Sequence, residues 1–439
     1  MLHTTLIDLC KNNEYITPEI IRKFKDEIGM RDKYGRTALM WLCDYNKNIN
    51  INLIRELKDE IGIGTDNGMT ALMYLCEYNK NITPELIREL KDEISSQDKD
   101  GKTALMLLCE DNENITPELI RELKDEIGIG TDNGMTALML LCKYNENITP
   151  ELIRELKDEI RFYNSQSRET ALMYLCKYNS SITPEIIREL KDEMGMKYEF
   201  GKTALMLLCK CNRPITPELI RELNDEIGMK DNYEYKALMY LCEYNENITP
   251  ELIRELKDEI RIKNKWGCTA LMFLCQNNDS ITPELIRELK DEIGIKDECE
   301  ETALMFLCQN NENITPELIR ELKDEIGIQD ELKQTALMNL CECNENITPE
   351  LIRELKDEIR SQNNYRNTAL MYLCEYNPSI TPELIRELKD EIGMRNKWKQ
   401  TALMCLYKNN KKNITKELIM ELKNEINLFT VNKIINYSN

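Results

Sequence analysis

A twelve-residue segment, Thr-Pro-Glu-Leu-Ile-Arg-Glu-Leu-Lys-Asp-Glu-Ile, constrains the fold of this chain more than any other feature, because it recurs unchanged in eight places. The copies begin at Thr83, Thr116, Thr149, Thr249, Thr282, Thr315, Thr348 and Thr381, and close variants begin at Thr17, Thr183 and Thr216. In the first copy, Thr83 suits the N-cap of a helix and Pro84 its first turn. Leu86 and Leu90 follow at helical spacing on one apolar side. Each copy therefore predicts a short amphipathic helix, here called helix B, over 84–93 and its equivalents.

A second motif alternates with the first: Thr-Ala-Leu-Met, a variable residue, and then Leu-Cys. It begins at Thr37, Thr70, Thr103, Thr136, Thr170, Thr203, Thr269, Thr302, Thr335, Thr368 and Thr401, with a near copy at Lys236 and a degenerate one at Thr4. We predict a second helix, helix A, over 71–78 and its equivalents. The spacing is 33 residues except for one step of 34 between Thr136 and Thr170. The extra residue therefore lies within 161–169, in a connection between helices.

Neither helix is long enough to bury its apolar side alone, so successive repeats must stack against one another. We predict an all-α solenoid of about thirteen stacked helix-turn-helix repeats, joined by short hairpins or turns, in a single array over 1–439. Residues 1–36 form an N-terminal capping repeat, 37–400 the internal repeats, and 401–439 a C-terminal capping repeat with a tail. The last segment holds six Lys and three Glu. This excess of bases leaves a basic docking tail open as an alternative to a cap.

The composition argues against some classes of partner. The net charge is −21, and helix B supplies it, since each full copy carries four acidic and two basic residues. Such an acidic surface argues against nucleic acid, whose phosphates need a basic one. No apolar run approaches the roughly 20 residues of a membrane-spanning helix, so we predict no membrane association.

The cysteines indicate where the protein works. Twelve of the seventeen occupy the Leu-Cys position of helix A, which predicts small buried side chains. The odd total and the lack of a signal peptide in the first ten residues predict a reducing compartment. We therefore expect the protein in the cytoplasm, with access to the nucleus left open.

The chain offers no group of residues suited to catalysis. His3 is its only histidine, which excludes histidine-based triads and Cys₂His₂ zinc sites. Cys209 and Cys211 lie two residues apart on helix A and point in different directions. The same holds for Cys341 and Cys343. Because the charged rows of helix B are identical in eight copies, they indicate framework rather than an active site. We predict no enzyme activity, no cofactor and no metal.

The 33-residue period, the two short helices and the connection 98–105, Asp-Lys-Asp-Gly-Lys-Thr-Ala-Leu, together resemble the ankyrin repeat over essentially the whole chain. The glycines that match the family's hairpin glycine are Gly35, Gly68, Gly101, Gly134, Gly201 and Gly267. Ala38 replaces the family's Pro and Met40 its His, so Met must fill the space by packing. Asn46 and Asn79 replace a mid-repeat Gly, since Asn also tolerates positive φ. A generic helical-hairpin solenoid is the alternative, and the 34-residue tetratricopeptide motif matches poorly.

The resemblance implies binding of partners along the connections and helix A. These are also the parts that vary between repeats, and they carry aromatic residues, which interfaces use as anchors. The candidate binding residues are Trp41, Tyr74, Tyr174, Tyr240, Phe273, Phe306 and Tyr372 on helix A, and Tyr34, Phe200, Trp266, Tyr365 and Trp398 in the connections. The alternative is that the helix A aromatics pack on each other as a ladder. Trp266 and Trp398 equally suit coverage of a neighbouring helix.

Other aromatic residues recur with less variation. We interpret the tyrosines at the end of helix A as packing residues: Tyr45, Tyr78, Tyr144, Tyr178, Tyr244 and Tyr376. The connections also carry Tyr163, Tyr233 and Tyr235. We predict a non-enzymatic scaffold that binds partner proteins through the connections and the helix A face. The alternative is a structural array whose near-identical helix B faces associate with themselves.

Overall fold

The computed structural model describes residues 5–428, and side-chain burial as far as 425; every regular element in this part of the chain is a helix. The described residues divide into two compact units, one comprising 5–208 with 221–226 and the other 209–220 with 227–428. His3 and residues 429–439, the end of the predicted C-terminal capping repeat and tail over 401–439, lie outside the described residues. The single array over 1–439 stays a prediction.

The first compact unit is a run of stacked helix pairs. Its A helices are Leu6–Asn12, Ala38–Tyr45, Ala71–Tyr78, Ala104–Asp111, Ala137–Tyr144 and Ala171–Tyr178, and its B helices are Pro18–Lys23, Ile51–Glu56, Pro84–Glu89, Pro117–Glu122, Pro150–Glu155 and Pro184–Glu189. Short 3₁₀ helices follow at Lys25–Glu27, Lys58–Glu60, Lys91–Glu93, Lys124–Glu126, Lys157–Glu159, Lys191–Glu193 and Asn224–Glu226, with another in a connection at Glu199–Gly201. Helices Ala204–Lys210 and Pro217–Glu222 contain residues of both units.

The second compact unit has the same construction. Its A helices are Ala237–Tyr244, Ala270–Asn277, Ala303–Asn310, Ala336–Cys343, Ala369–Tyr376 and Ala402–Asn409, and its B helices are Pro250–Glu255, Pro283–Glu288, Pro316–Glu321, Pro349–Glu354, Pro382–Glu387 and Lys416–Glu421. The 3₁₀ helices are Lys257–Glu259, Lys290–Glu292, Lys323–Glu325, Lys356–Glu358, Lys389–Glu391, Lys411–Asn413 and Lys423–Leu428. Within each unit every helix A contacts the next helix A, and every helix B the next helix B. The predicted all-α solenoid is confirmed.

Helix A is the core of every internal repeat. In the third repeat six consecutive residues are buried, from Ala71 to Cys76, whereas helix B buries only Leu86 and Ile87 before its end. Helix A therefore has neighbours on all sides, while helix B keeps one face in solvent. Cys76 and its equivalents are fully buried, as the sequence predicts. Met40 is also buried, as expected of a methionine that fills its space by packing.

Helix B ends earlier than predicted. The α-helix in the third repeat stops at Glu89, Leu90 has φ −104° and ψ 16°, and a single 3₁₀ turn covers Lys91–Glu93. This tighter turn changes the direction of the side chains, and Glu93 becomes buried. Gly62, which directly follows Ile61 in the equivalent segment of the preceding repeat, lies in the left-handed region with φ +85°. The prediction of a helix to residue 93 is wrong because a 3₁₀ turn replaces the last α-turn.

Two further expectations concern loops. Asn46 and Asn79 do not adopt positive φ; their φ angles are −82° and −85°. The expected tolerance of Asn for positive φ is therefore not the reason for its presence. The extra residue of the 34-residue step is accommodated in the connection, as predicted. In the connection with the ordinary spacing, a hydrogen bond from Asp98 N to Lys102 O closes the turn. At the 34-residue step the equivalent bond joins Asn164 N to Glu169 O, which lies one residue further along the chain.

Candidate functional site

A buried glutamate joins successive repeats. Glu93 Oε1 accepts a hydrogen bond from the backbone N–H of Gly62 at 2.8 Å, and Oε2 accepts one from Leu72 at 2.6 Å. Gly62 belongs to the preceding repeat, and Leu72 lies in the first turn of helix A. Burial raises the pKa of Glu93, and these two N–H bonds oppose that rise. The same pair of bonds is made by Glu60, Glu126, Glu159, Glu193, Glu226, Glu259, Glu292, Glu325, Glu358, Glu391 and Glu425.

Buried asparagines in the turn between the two helices form a second series of bonds between successive repeats, here called the second ladder. Asn112 Nδ2 donates to the carbonyl of Cys76 at 2.8 Å and to that of Asn79 at 3.2 Å, both in the preceding repeat. Its Oδ1 accepts from the backbone N–H of Asn114 at 2.9 Å. One side chain thereby provides hydrogen-bond partners for two carbonyls of the preceding repeat and for one N–H of its own turn. Asn79, Asn145, Asn278, Asn311, Asn344 and Asn377 repeat the two carbonyl contacts.

The exposed face of helix B carries a ladder of ion pairs. Arg121 Nη2 lies 2.7 Å from Glu155 Oε1 in the next repeat, and Arg121 Nη1 lies 3.1 Å from Glu118 in its own helix. Equivalent arginines make the same contact along both compact units. The constant residues of helix B are thus engaged in holding the repeats together, as a framework requires.

The variable position of helix A is tied to the start of the preceding connection, nine residues earlier. Trp41 Nε1 donates to Asp32 Oδ2 at 3.1 Å, and Tyr240 Oη donates to Asp231 Oδ2 at 2.8 Å. No motif in the sequence indicates this nine-residue spacing. All seven helix A candidates, Trp41, Tyr74, Tyr174, Tyr240, Phe273, Phe306 and Tyr372, are buried. Their rings lie beneath the surface. A direct role in binding and a ladder of helix A aromatics packed on each other both stay predictions.

The candidates in the connections lie at the surface. Tyr34, Phe200, Trp266, Tyr365 and Trp398 have exposed fractions between 43% and 61%. In the second compact unit, three of them, Trp266, Tyr365 and Trp398, stack on a ring of the neighbouring connection. Tyr233 and Trp266 have centroids 5.7 Å apart, and Tyr365 and Trp398 have centroids 5.8 Å apart. Each pair spans two repeats, so these rings form small exposed aromatic platforms.

The first platform continues into the protein. Tyr235 lies 6.1 Å from the ring of Trp266, 5.1 Å from that of Phe273 and 5.4 Å from that of Tyr240. We call Tyr233, Tyr235, Tyr240, Trp266 and Phe273 the Trp266 cluster. Burial raises the pKa of Tyr235 above its ordinary value. The exposed Trp266 ring therefore contacts the half-buried Tyr235, which in turn packs against the buried rings of Tyr240 and Phe273.

Backbone hydrogen bonds fix successive connections to one another. Lys265 N donates to Tyr233 O at 3.1 Å, and Glu298 N donates to Trp266 O at 3.0 Å. Lys397 N donates to Tyr365 O at 2.9 Å. Although these connections contain no strand, they present their side chains from a hydrogen-bonded backbone.

In the first compact unit a groove lies beside Trp41. Its volume is about 500 Å³, and Tyr34, Arg36, Trp41, Tyr45 and Tyr74 are among its lining residues. The Arg36 guanidinium lies 4.6 Å from the ring centroid of Trp41 and 4.7 Å from that of Tyr74. The groove thus combines exposed aromatic surface with a cation held between two rings.

The recurrent tyrosines at the end of helix A are only partly packed. Tyr45 stacks on Trp41 with centroids 5.4 Å apart, and Tyr78 stacks on Tyr74 at 6.2 Å. Nevertheless six of these tyrosines are exposed: Tyr45, Tyr78, Tyr144, Tyr178, Tyr244 and Tyr376. Their constancy suggested packing alone. Each of these tyrosines follows the buried Cys by two residues and lies at the end of helix A. This position could have indicated that the side chain lies outside the buried part of the helix.

The described residues contain no group of three or more His, Cys, Asp or Glu side chains placed to hold a metal ion. Cys341 is buried and Cys343 is exposed, so this pair does not face one site. Between residues 5 and 428, no helix has both the length and the apolar character needed to cross a membrane.

The family model described as ankyrin repeats (3 copies) matches residues 79–157. The matched segment contains the helix pairs, the buried Glu and the buried Asn described above, and these recur at the same spacing in both compact units. No curated protein matches the chain.

Proposed function

We propose that this chain is a non-enzymatic scaffold that binds partner proteins through its connections and helix A face. Residues 79–157 match the ankyrin-repeat family model, and the same helix pairs recur in both compact units. Ankyrin repeats are generally protein–protein interaction modules. Ankyrin solenoids are typically non-enzymatic. The observation that carries the proposal is the exposed Tyr233–Trp266 pair, presented on a hydrogen-bonded backbone.

The constant residues and the variable residues of the repeats have different roles, and this difference supports the proposal. Glu93, Asn112 and Arg121 each bond to the neighbouring repeat, and their equivalents are nearly constant along the chain. The connections differ in sequence from one repeat to the next. A constant framework with variable surface residues is the arrangement expected of a binding solenoid.

The physical properties of the platforms also support it. Tyr and Trp provide large contact areas with few rotatable bonds, so little side-chain entropy is lost on binding. Rings that stack on one another and on buried residues lose still less. The Trp266 cluster is therefore suited to anchor a partner.

We further propose that the partners are proteins in the cytoplasm. The net charge of −21 opposes association with nucleic acid over most of the surface. Self-association through helix B faces is the rival function. Each face is acidic, and its Arg121-type residues already contact Glu residues of the same chain. Two such faces would repel each other, which favours binding of other proteins.

The proposal is tested by quantitative affinity capture with the full chain, the double variant Tyr233→Ala/Trp266→Ala, and the control Arg287→Ala on the exposed face of helix B. We expect the double variant to lose a defined subset of partners while the control retains them. Circular dichroism must show unchanged helix content in all three. If the double variant retains every partner, the Trp266 cluster is not an anchor.

Sedimentation over a range of concentrations distinguishes the rival function. We expect the chain to stay monomeric. Association that Arg287→Ala weakens would instead support the self-associating array.

A further inference from the structure

Two consecutive connections in the second compact unit carry only positive charge. Residues 360–367 contain Arg360 and Arg366, and residues 393–400 contain Arg395, Lys397 and Lys399. Neither stretch contains Asp or Glu. All five side chains are exposed. In a chain of net charge −21, this is a local reversal of sign.

These connections border an open groove of about 610 Å³, lined in part by Arg366, Arg395, Lys397 and Lys399. None of the four cations forms an ion pair with a residue in the described part of the chain, in contrast to the helix B arginines. Their charges are therefore not neutralised by the protein itself and remain available to a ligand.

The groove is built on a fixed base. Asn396 Nδ2 donates to Asn367 Oδ1 at 3.0 Å, and Lys397 N donates to Tyr365 O at 2.9 Å. At its edge lie the stacked rings of Tyr365 and Trp398. An occupant would thus meet four cations and an adjoining exposed aromatic surface.

The charges of the neighbouring connections limit what this occupant can be. The Leu332 carbonyl of the connection 327–334 accepts a hydrogen bond from Asn364 N. This connection carries two acids, Asp330 and Glu331, against one base, Lys333. The connection before it carries four acidic residues between 297 and 301. A nucleic acid that continued along the repeats would be repelled there, because its phosphates are evenly spaced along the strand. A short acidic segment could end before the acidic connections.

We propose that the groove between connections 360–367 and 393–400 binds a short acidic peptide segment of a partner protein, with an aromatic or large apolar residue that contacts Tyr365 and Trp398. The inference rests on the proposed protein-binding function and adds the chemistry of one partner. Carboxylates pair with the exposed Lys and Arg, and the apolar residue covers the rings.

The test measures fluorescence anisotropy of a labelled decapeptide of Glu and Gly with one central Phe, titrated with the full chain. We expect saturable binding that Lys397→Glu/Lys399→Glu weakens at least about tenfold, and that salt also weakens. The matched control Lys389→Glu changes the charge of an exposed residue on the 3₁₀ helix of the same repeat. We expect that control to bind nearly as the parent does. Trp398→Ala should weaken the Phe peptide more than its Phe→Ala analogue.

Three outcomes overturn the inference. Unchanged binding in the double Lys variant places the peptide elsewhere. Tighter binding of a ten-nucleotide oligothymidylate that the double variant abolishes assigns the groove to nucleic acid. Salt-sensitive dimerisation that the double variant abolishes assigns it to a second copy of the chain. If the peptide does not bind but partner capture still depends on the Trp266 cluster, only this inference is contradicted. If neither the peptide nor any partner binds, the proposed function is contradicted as well.

Discussion

The carboxylate of Glu93 lies 2.8 Å from the backbone nitrogen of Gly62, a residue of the preceding repeat. Its second oxygen accepts from Leu72 N–H at the start of helix A. The first N–H groups of a helix lack partners within it, and negative charge there is favourable. One side chain therefore caps a helix and joins two repeats, so the stability of each repeat depends on its neighbour.

We predict that Glu93→Gln destabilises the protein by about 2–3 kcal/mol, because an amide keeps one acceptor and turns its NH₂ toward a backbone N–H. The control is Asp92→Asn, since Asp92 is exposed in the same turn. Urea denaturation gives the loss, and hydrogen exchange of the Leu72 amide should accelerate. Equal effects of the two substitutions would contradict the capping role.

The pH dependence of stability should follow from the buried carboxyls. Burial raises the pKa of Glu93 and its equivalents above the ordinary value of 4.5, so the folded chain binds more protons than the unfolded chain between those values. Stability should therefore rise as the pH falls from neutral toward 4.5. Below it, exposed Glu residues with lowered pKa, such as Glu85, lose their stabilising contribution when protonated.

Thermal unfolding between pH 8 and pH 3 tests this order. We expect a maximum of stability on the acidic side of neutral. Repetition in high salt separates this effect from repulsion among surface charges, which salt screens. A continuous decrease from pH 7 downward would show that the buried carboxyls do not have raised pKa values.

Much of the fold follows from the sequence because it depends on local signals. Helix A spans Ala71–Tyr78, as its motif predicts, and glycine follows helix B with positive φ. The role of Glu93 could not be predicted, since its partner at Gly62 lies 31 residues earlier and becomes a neighbour only when repeats stack. The early end of helix B has the same cause: the 3₁₀ turn places Glu93 between repeats.

The candidate site was predictable in the connections and less so on helix A. Trp266 and Trp398 are polar-loop aromatics, and both are exposed. Helix A appeared to have a free side at the position of Trp41, but the connection covers it and Asp32 binds the indole N–H. This contact joins residues nine positions apart, one in a loop and one in a helix. Neither the helical nor the strand periodicity predicts it.

Asn112→Ala tests the second ladder. The change removes two hydrogen bonds to carbonyls of the preceding repeat and leaves those carbonyls without this donor. We expect a loss of about 2–3 kcal/mol. In the same turn, Asn114→Ala serves as control, because its Nδ2 bond to Lys80 O is exposed. A smaller loss for Asn112 than for Asn114 would show that the buried ladder is not a main source of stability.

Phe273→Tyr is predicted to stabilise the protein. Asn264, nine residues before Phe273, is buried, and its Nδ2 makes no hydrogen bond of good geometry among the described residues, although its amide lies beside the Tyr235 hydroxyl. In a later repeat, Asn363 Nδ2 donates to Tyr372 Oη at 2.8 Å, and that hydroxyl donates to Gln334.

A tyrosine at position 273 would offer its hydroxyl oxygen as an acceptor for Asn264 Nδ2. The new hydroxyl would in turn donate to the hydroxyl of Tyr235, which occupies the position equivalent to Gln334. We expect a gain of about 0.5–1.5 kcal/mol, measured by denaturation. A double-mutant cycle with Asn264→Ala should show coupling of similar size, since the cycle cancels the separate effects of each change. Absence of coupling would mean that the hydroxyl does not reach Asn264, even though the spacing is the same.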